Sequence, residues 1–279
     1  MQTLSAQVVT PDLEYQKISG VSYGWQTVSL LNSYTDAIVV CSNVLPSSAS
    51  NEAVTRIRNI GSGSFQLKIQ QPNDSDPGYS TDVYCIISDA GSYTVPFKYE
   101  AHKVISTDTS GNNANGWNTT GENVSASITQ SYNTPAVLGQ VMSYNDNRFS
   151  VFWSYDCENR KNRPFKSGMA DGMCVGKHIS KVSGTRNNET LGYIVAESGT
   201  YHYSGFDMKV ALGTDTIRGV DDTPPYSYNL GQQYTDAIAT KEGEDGGDGG
   251  WSVLYGAFPI GTSLDLAIDE AMVNNSNRK

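Results

Sequence analysis

The chain has 279 residues, a formal net charge of −10 and a pI near 4.7, with 38% hydrophobic and 17% charged residues. An acidic surface of that size lacks the basic footprint that nucleic acid or an anionic membrane surface would require. No apolar run approaches the roughly 18 residues of a membrane span, so neither nucleic-acid binding nor membrane insertion is expected.

The remainder is rich in Gly, Ser, Thr, Asn and Tyr, which suits short strands joined by turns and not helical bundles. "MQTLSAQVVTPDLEY" lacks the basic start and apolar core of a signal peptide. The composition has an extracellular character, so the expectation is that a signal has been removed. "QVVTP" reads as a strand, and "QTVSLLNSYTDAIVVCSN" as two strands around a polar turn. "AVTRIRNI" and "GSGSFQLKIQ" alternate apolar and polar residues, with Phe65, Leu67 and Ile69 on one side. "TDVYCIIS" and "AGSYTVPFKYEAHKVIS" supply further strand. Period-two alternation broken by turns every eight to twelve residues marks an antiparallel sandwich.

Residues 107–123, "TDTSGNNANGWNTTGEN", read as a linker. "RFSVFWSY" and "ETLGYIVAESG" are strands beyond it, the second matching "TDVYCIISDAG", and "FDMKVALGTDTIRGV" closes that unit. "YSYNLGQQYTDAI", "GGWSVLYGAF" and "SLDLAIDEA" follow.

One phrase recurs: "NSYTDAIVV" from Asn32, "QSYNTPAVL" from Gln130 and "QQYTDAIAT" from Gln232. Tyr34, Tyr132 and Tyr234 lie about 100 residues apart, the size of a small domain and not of a solenoid repeat. The expected organisation is an extension over 1–20, repeats over 21–106 and 124–222 around the linker, and a partial third repeat over 223–279. By the spacing of the first two, the strand matching "VYCII" and "LGYIV" would begin near residue 283, so the third repeat lacks its closing strands. A sandwich without a strand exposes an apolar groove and an unpaired edge. Three fillers are open: polypeptide beyond residue 279, the N-terminal "QVVTP" folding back, or a strand from a neighbouring molecule.

Cys41 and Cys85 fall in the first repeat and Cys157 and Cys174 in the second, with no CxxC pair. Placement favours the disulfides Cys41–Cys85 and Cys157–Cys174 over four free thiols.

The first repeat resembles the H-type lectin domain, the family of snail agglutinin and the discoidin C-terminal domain. The resemblance rests on the order of "LLNSYTDAIVVCSN", "AVTRIRNIGSGSFQLKIQ" and "STDVYCIIS" within about a hundred residues. It implies six-stranded antiparallel sandwiches, trimeric association and binding of sugars such as N-acetylgalactosamine. Where the family's sugar site carries an Arg this sequence has Glu52, and where it carries a Trp-His pair this sequence has Pro72-Asn73. The relatives assemble three identical domains; here one chain carries three similar ones, as a covalent pseudo-trimer or a linear string.

"EGEDGGDGG" offers Glu242, Glu244, Asp245 and Asp248 on a glycine-rich frame, hard oxygen ligands of the kind calcium takes, though without EF-hand spacing. "MSYNDNRF" stands at the corresponding place in the second repeat, with Asn145, Asp146 and Arg148. Asp and Asn suit sugar hydroxyls, and Tyr144 or Trp251 would stack on a sugar face. The structural alternative makes Phe149 and Trp251 core residues and the acidic stretch a solvated turn. Asn118 and Asn123 are the most accessible glycosylation sequons. His102, His178 and His202 are scattered, and no GxSxG motif is present, so no enzymatic activity is expected.

The fold expected is all-β, in tandem six-stranded sandwiches with the third incomplete. The functions expected are an extracellular or cell-surface carbohydrate-binding or adhesive protein, or alternatively a filament or sheath subunit joined by strand complementation. The partners are then glycans, or further copies in a pseudo-trimer or polymer.

Overall fold

The computed structural model describes residues 5–107, 109, 121–157, 164–165, 172–180, 182, 184, 186–243, 249–273 and 278. Among them the alternating stretches become nineteen strands, and no α-helix forms. The fold is all-β.

Residues 5–89 supply β1 (Ser5–Thr10), β2 (Leu13–Val21), β3 (Gln26–Ser29), β4 (Ala37–Leu45), β5 (Val54–Arg58), β6 (Ser64–Gln70) and β7 (Thr81–Asp89). They form two facing layers, β1-β2-β7-β4 and β3-β6-β5, all antiparallel. Alternation directs Val39, Cys41, Val83, Cys85 and Ile87 from one layer against Ile57, Phe65, Leu67 and Ile69 from the other, all buried. Residues 91–197 repeat the plan with β8 (Gly91–Tyr93), β9 (Tyr99–Ser106), β10 (Glu122–Asn123), β11 (Pro135–Val141), β12 (Val151–Asp156), β13 (Met173–His178) and β14 (Glu189–Glu197). The layers are β8-β9-β14-β11 and β10-β13-β12, around Val137, Phe152, Met173, Val175, Leu191 and Tyr193.

Each sandwich thus has four strands against three, not six in all. The added strands come from hairpins that lie earlier in the chain than expected. β2, most of it in the expected N-terminal extension, pairs with β7; β9, within the span expected for the first repeat, pairs with β14. "QVVTP" is committed to β1, paired with β2, so its folding back into the third repeat does not occur. In the expected linker, Glu122 and Asn123 form β10 against β13.

The remaining strands are β15 (Gly199–Tyr203), β16 (Phe206–Val210), β17 (Tyr226–Asn229), β18 (Gly250–Tyr255) and β19 (Ser263–Glu270). β15 and β16 form a hairpin across Ser204-Gly205, both with positive φ (46° and 86°). This is a two-residue turn that glycine makes accessible. β17-β19-β18 reproduces the order of β3-β6-β5 and β10-β13-β12. It joins the first sandwich edge to edge: Leu254 and Tyr255 of β18 pair parallel with Val44 and Leu45 of β4, giving the seven-stranded order β1-β2-β7-β4-β18-β19-β17.

The units are gathered and not strung out. Ile38, Val40 and Ile86 of the first sandwich meet Tyr99, Ile194 and Met142 of the second in one buried cluster. The β15–β16 hairpin lays Met208, Phe206 and Tyr201 on the same cluster.

Both expected disulfides are present. Cys41 and Cys85 sit directly opposite on β4 and β7, Cα atoms 4.1 Å apart, inside the first core. Cys157–Cys174 ties the end of β12 to β13 beside Trp153 and Tyr155. Thiol titration under denaturing, non-reducing conditions should find no free thiol, and replacing both Cys41 and Cys85 by Ala should cost about 2–5 kcal/mol in a urea titration.

Candidate functional site

The loop residues singled out in the sequence lie at the junction of the two sandwiches. Asp146 is buried, and its carboxylate accepts from the Arg148 side chain at 3.0 and 2.8 Å. Burial works against its ionisation, yet the Arg148 hydrogen bonds prevail and hold its pKa at about 2. Arg56, fully buried on β5, reaches across and donates to the main-chain oxygens of Arg148 (2.8 Å) and Asp146 (3.2 Å). Glu189, also fully buried, accepts from the N–H groups of Asn145 and Asp146 at 3.1 Å and stands 3.8 Å from the Arg56 guanidinium. Tyr144 donates to Asp74 (2.9 Å), packs edge-on to Trp25 and lies under Arg56. Asn145 is exposed, with its amide donating to Asn188.

Trp251 is not on this surface. It is 4% exposed, packs against Phe149, and donates from its indole nitrogen to the Ala53 carbonyl (3.0 Å), joining β18 to the first sandwich. Tyr144, Asn145, Asp146 and Arg148 therefore come together, and Trp251 stands apart as a core residue.

Of the acidic glycine-rich stretch, Glu244, Asp245 and Asp248 lie outside the described residues, as does Asn118. The Glu242 carboxyl accepts from the Val137 N–H (2.6 Å), and its burial pushes the pKa up to about 8. Among the described residues no three His, Cys, Asp or Glu side chains converge on a point. Asn123 is exposed at the start of the second sandwich, its amide oxygen accepting from Ser125.

Where the three units meet, a cleft of about 50 Å³ is lined by Cys41, Thr55, Gln140, Ser150, Thr240 and Ser252, among others. Small-molecule sites typically enclose ~300–1,000 Å³, so this is a packing joint.

A recurrent device surrounds the three tyrosines, and sequence reasoning missed half of it. In the first unit the buried Glu14 carboxylate accepts the N–H groups of Leu31 (3.0 Å) and Asn32 (2.8 Å), just before Tyr34. In the second the buried Glu100 accepts those of Thr129 (2.9 Å) and Gln130 (2.5 Å), just before Tyr132, and the Tyr132 hydroxyl as well (3.2 Å). In the third the acid is Asp207, which accepts the Gln232 side-chain amide at 3.0 Å. The signal was in plain view as "LEYQK", "YEAHK" and "FDMKV", an apolar residue then an acid at the start of each hairpin's second strand.

A second carboxylate clamps the other side of the tyrosine. Asp89, at the end of β7, accepts the N–H groups of Thr35 (3.1 Å) and Asp36 (2.6 Å), and the next N–H, Ala90, returns to the Asp36 carbonyl (2.9 Å). Glu197, at the end of β14, accepts those of Asn133 (2.9 Å) and Thr134 (2.7 Å), and Ser198 returns to Thr134 (2.8 Å). The third corner is otherwise alike: Tyr234 N–H donates to Gly261 as Tyr34 N–H does to Ser62. Yet among the described residues no carboxylate accepts from Thr235 or Asp236. The strand that would carry it has no counterpart here, and Ala237–Thr240 is not a strand.

These features define an all-β extracellular or surface protein, stapled by disulfides and built from tandem sheets, one set of them left open. Residues across 96% of the chain are 26% identical to halomucin of Haloquadratum walsbyi, over 279 residues. The chain spans about 3% of that protein's length. No family model and no solved structure matches. No helix among the described residues is long and apolar enough to cross a membrane.

The two acids provide a matched test. Burial alone would raise the pKa of Glu100, but the donors from Thr129, His102 and Gln130 outweigh it and hold the carboxylate below its usual range. Its contribution to stability is thus present above the unfolded-state pKa near 4.5 and lost as pH falls through the lower folded value. Glu100→Gln should cost on the order of 3 kcal/mol at neutral pH and should lose less stability on acidification than the parent. Asp207→Asn, at a half-exposed site, should cost under about 1 kcal/mol. Urea titrations at pH 7 and pH 3 check both.

Proposed function

We propose that the chain is a framework module of an extracellular surface protein, whose third unit is completed by polypeptide from outside these residues. The observation that carries the proposal is the third tyrosine corner, folded like the first two but lacking the clamping strand. The similarity to halomucin, the two disulfides and the acidic net charge support an extracellular setting. The charged loop residues support a framework role: Asp146, Arg56 and Glu189 satisfy one another across the junction between sandwiches, and Trp251 is enclosed.

Protease applied to intact producing cells should cleave or release the protein without lysis, and the released chain should carry both disulfides. Retention inside the cell with four free thiols would sink the proposal.

A glycan-binding role, in line with the H-type lectin resemblance, has one observation in its favour. Tyr23 and Trp25 are half-exposed beside Tyr144, with Lys68 4.3 Å from the Tyr23 ring centroid and Arg58 4.0 Å from that of Trp25. Asp74 accepts from Lys68 at 3.0 Å within the same patch. An aromatic surface flanked by hydrogen-bonding groups suits a sugar face. On this view Trp25→Ala abolishes retention on a glycan array and Asp245→Ala leaves it unchanged.

A further inference from the structure

We infer that the open third unit takes one extended strand, supplied by polypeptide outside the 279 residues. The strand has alternate apolar residues and ends in a carboxylate followed by a small residue. This deepens the framework proposal and rests on it. The chemistry of the occupant follows from what the two finished units do at the same place.

In both, the central strand lies between the second strand of a hairpin and the strand after the tyrosine: β7 between β2 and β4, β14 between β9 and β11. The third unit has both flanks and no centre. β16 pairs with β15 on one side only, and residues 237–240 follow Tyr234 as β4 follows Tyr34.

The main-chain groups on the two flanks are already sorted by direction. On β4 the odd residues turn away from β7: the N–H groups of Val39 and Cys41 point to Met142 and Gln140 of the second sandwich. Their third-unit counterpart Ala239 likewise turns away, its N–H donating to Ser42 (3.0 Å) and its carbonyl accepting from Ser42 and Ser252. Alternation then aims the N–H groups of Ile238 and Thr240 at the missing strand, and among the described residues they make no hydrogen bond. On β16, Phe206, Met208 and Val210 are the counterparts of residues that face the first hairpin strand, leaving Asp207 and Lys209 to face the same vacancy.

The register is fixed at one end. Asp89 and Glu197 each donate their own N–H to the residue before the hairpin's second strand, Asp12 or Lys98, while their carboxylates cap the tyrosine corner. The counterparts in the third unit are the Gly205 carbonyl and the N–H groups of Thr235 and Asp236. An incoming strand places its terminal acid opposite Ala237, as Asp89 is opposite Ala37 and Glu197 opposite Pro135. Its alternate apolar residues cover Leu254, Leu266 and Tyr228, which now pack only against Val44, Tyr84 and the 237–239 segment. A second copy offers no such strand, because β7 and β14 are each central in their own sheets.

The probe is a fluorescent synthetic peptide of residues 189–198, ETLGYIVAES, titrated against the intact chain by anisotropy, with amide hydrogen exchange read in parallel. Saturable binding is expected, with new protection confined to residues 207–209 and 235–240. Peptide carrying Glu197→Ala should bind roughly tenfold or more weakly, and a scrambled peptide not at all. Absence of binding at millimolar peptide, or binding indifferent to Glu197→Ala, overturns the assignment. So does light scattering that shows dimers formed by exchange of β7 or β14 between copies. The surface proposal fails separately, in the protease experiment, so the two failures are distinguishable.

Discussion

A strand in this protein exists only where a neighbour completes its ladder. The same heptapeptide start, "YTDAI", shows it: at Tyr34 it leads into β4, nine buried residues between β7 and β18. At Tyr234 it leads into an irregular segment whose residues are half-exposed. Local preference is nearly equal, and the difference is the presence of β7. Main-chain groups that find no partner are costly to bury, so the unpaired segment stays at the surface, held by Ser42 and Ser252 through Ala239 alone.

The incomplete unit survives because the first sandwich lends it what it lacks. β18 adds to the edge of β4 by two parallel pairs, and Val44 and Tyr84 fill part of the cluster that a central strand would otherwise line. The β15–β16 hairpin is held on its other face, against Phe97, Tyr99 and Ile194. Both flanks are thus positioned by packing before any central strand arrives. Such preorganisation lowers the ordering cost of strand addition.

Much of this was legible in sequence because alternation is a two-residue signal that survives without tertiary knowledge. Phe65, Leu67 and Ile69, or "TDVYCIIS" and "ETLGYIVAESG", could be placed on strands and matched to one another. The unit boundaries were displaced for a physical reason. The repeated tyrosine phrase marks the fourth strand of each unit, and the hairpin that begins the unit carries only a two-letter mark, an apolar residue and an acid. Glu14, Glu100 and Asp207 stand 20, 32 and 27 residues ahead of their tyrosines, a variable distance that hides the pairing. The parallel joint between β4 and β18 leaves no periodic trace, since it depends on which edges meet in space. The candidate loop around Asp146 was found by chemistry, but the same residue types serve a sugar hydroxyl and a buried junction equally well.

That junction explains why charged residues sit where a free-standing domain would expose them. Arg56 and Glu189 are fully buried, and a lone buried charge is costly. Here each is surrounded by fixed donors or acceptors from the opposite sandwich: Arg56 by the Asp146 and Arg148 carbonyls, Glu189 by the N–H groups of Asn145 and Asp146. A covalent tandem keeps the two halves of such a site at high effective concentration, so the groups stay satisfied without a separate association step. The open slot follows the opposite rule. Its groups are solvated and uncharged main-chain donors, which tolerate an empty state and reward an occupant that supplies a carboxylate. Permanent joints are made of enclosed charge, and the joint left open is made of backbone.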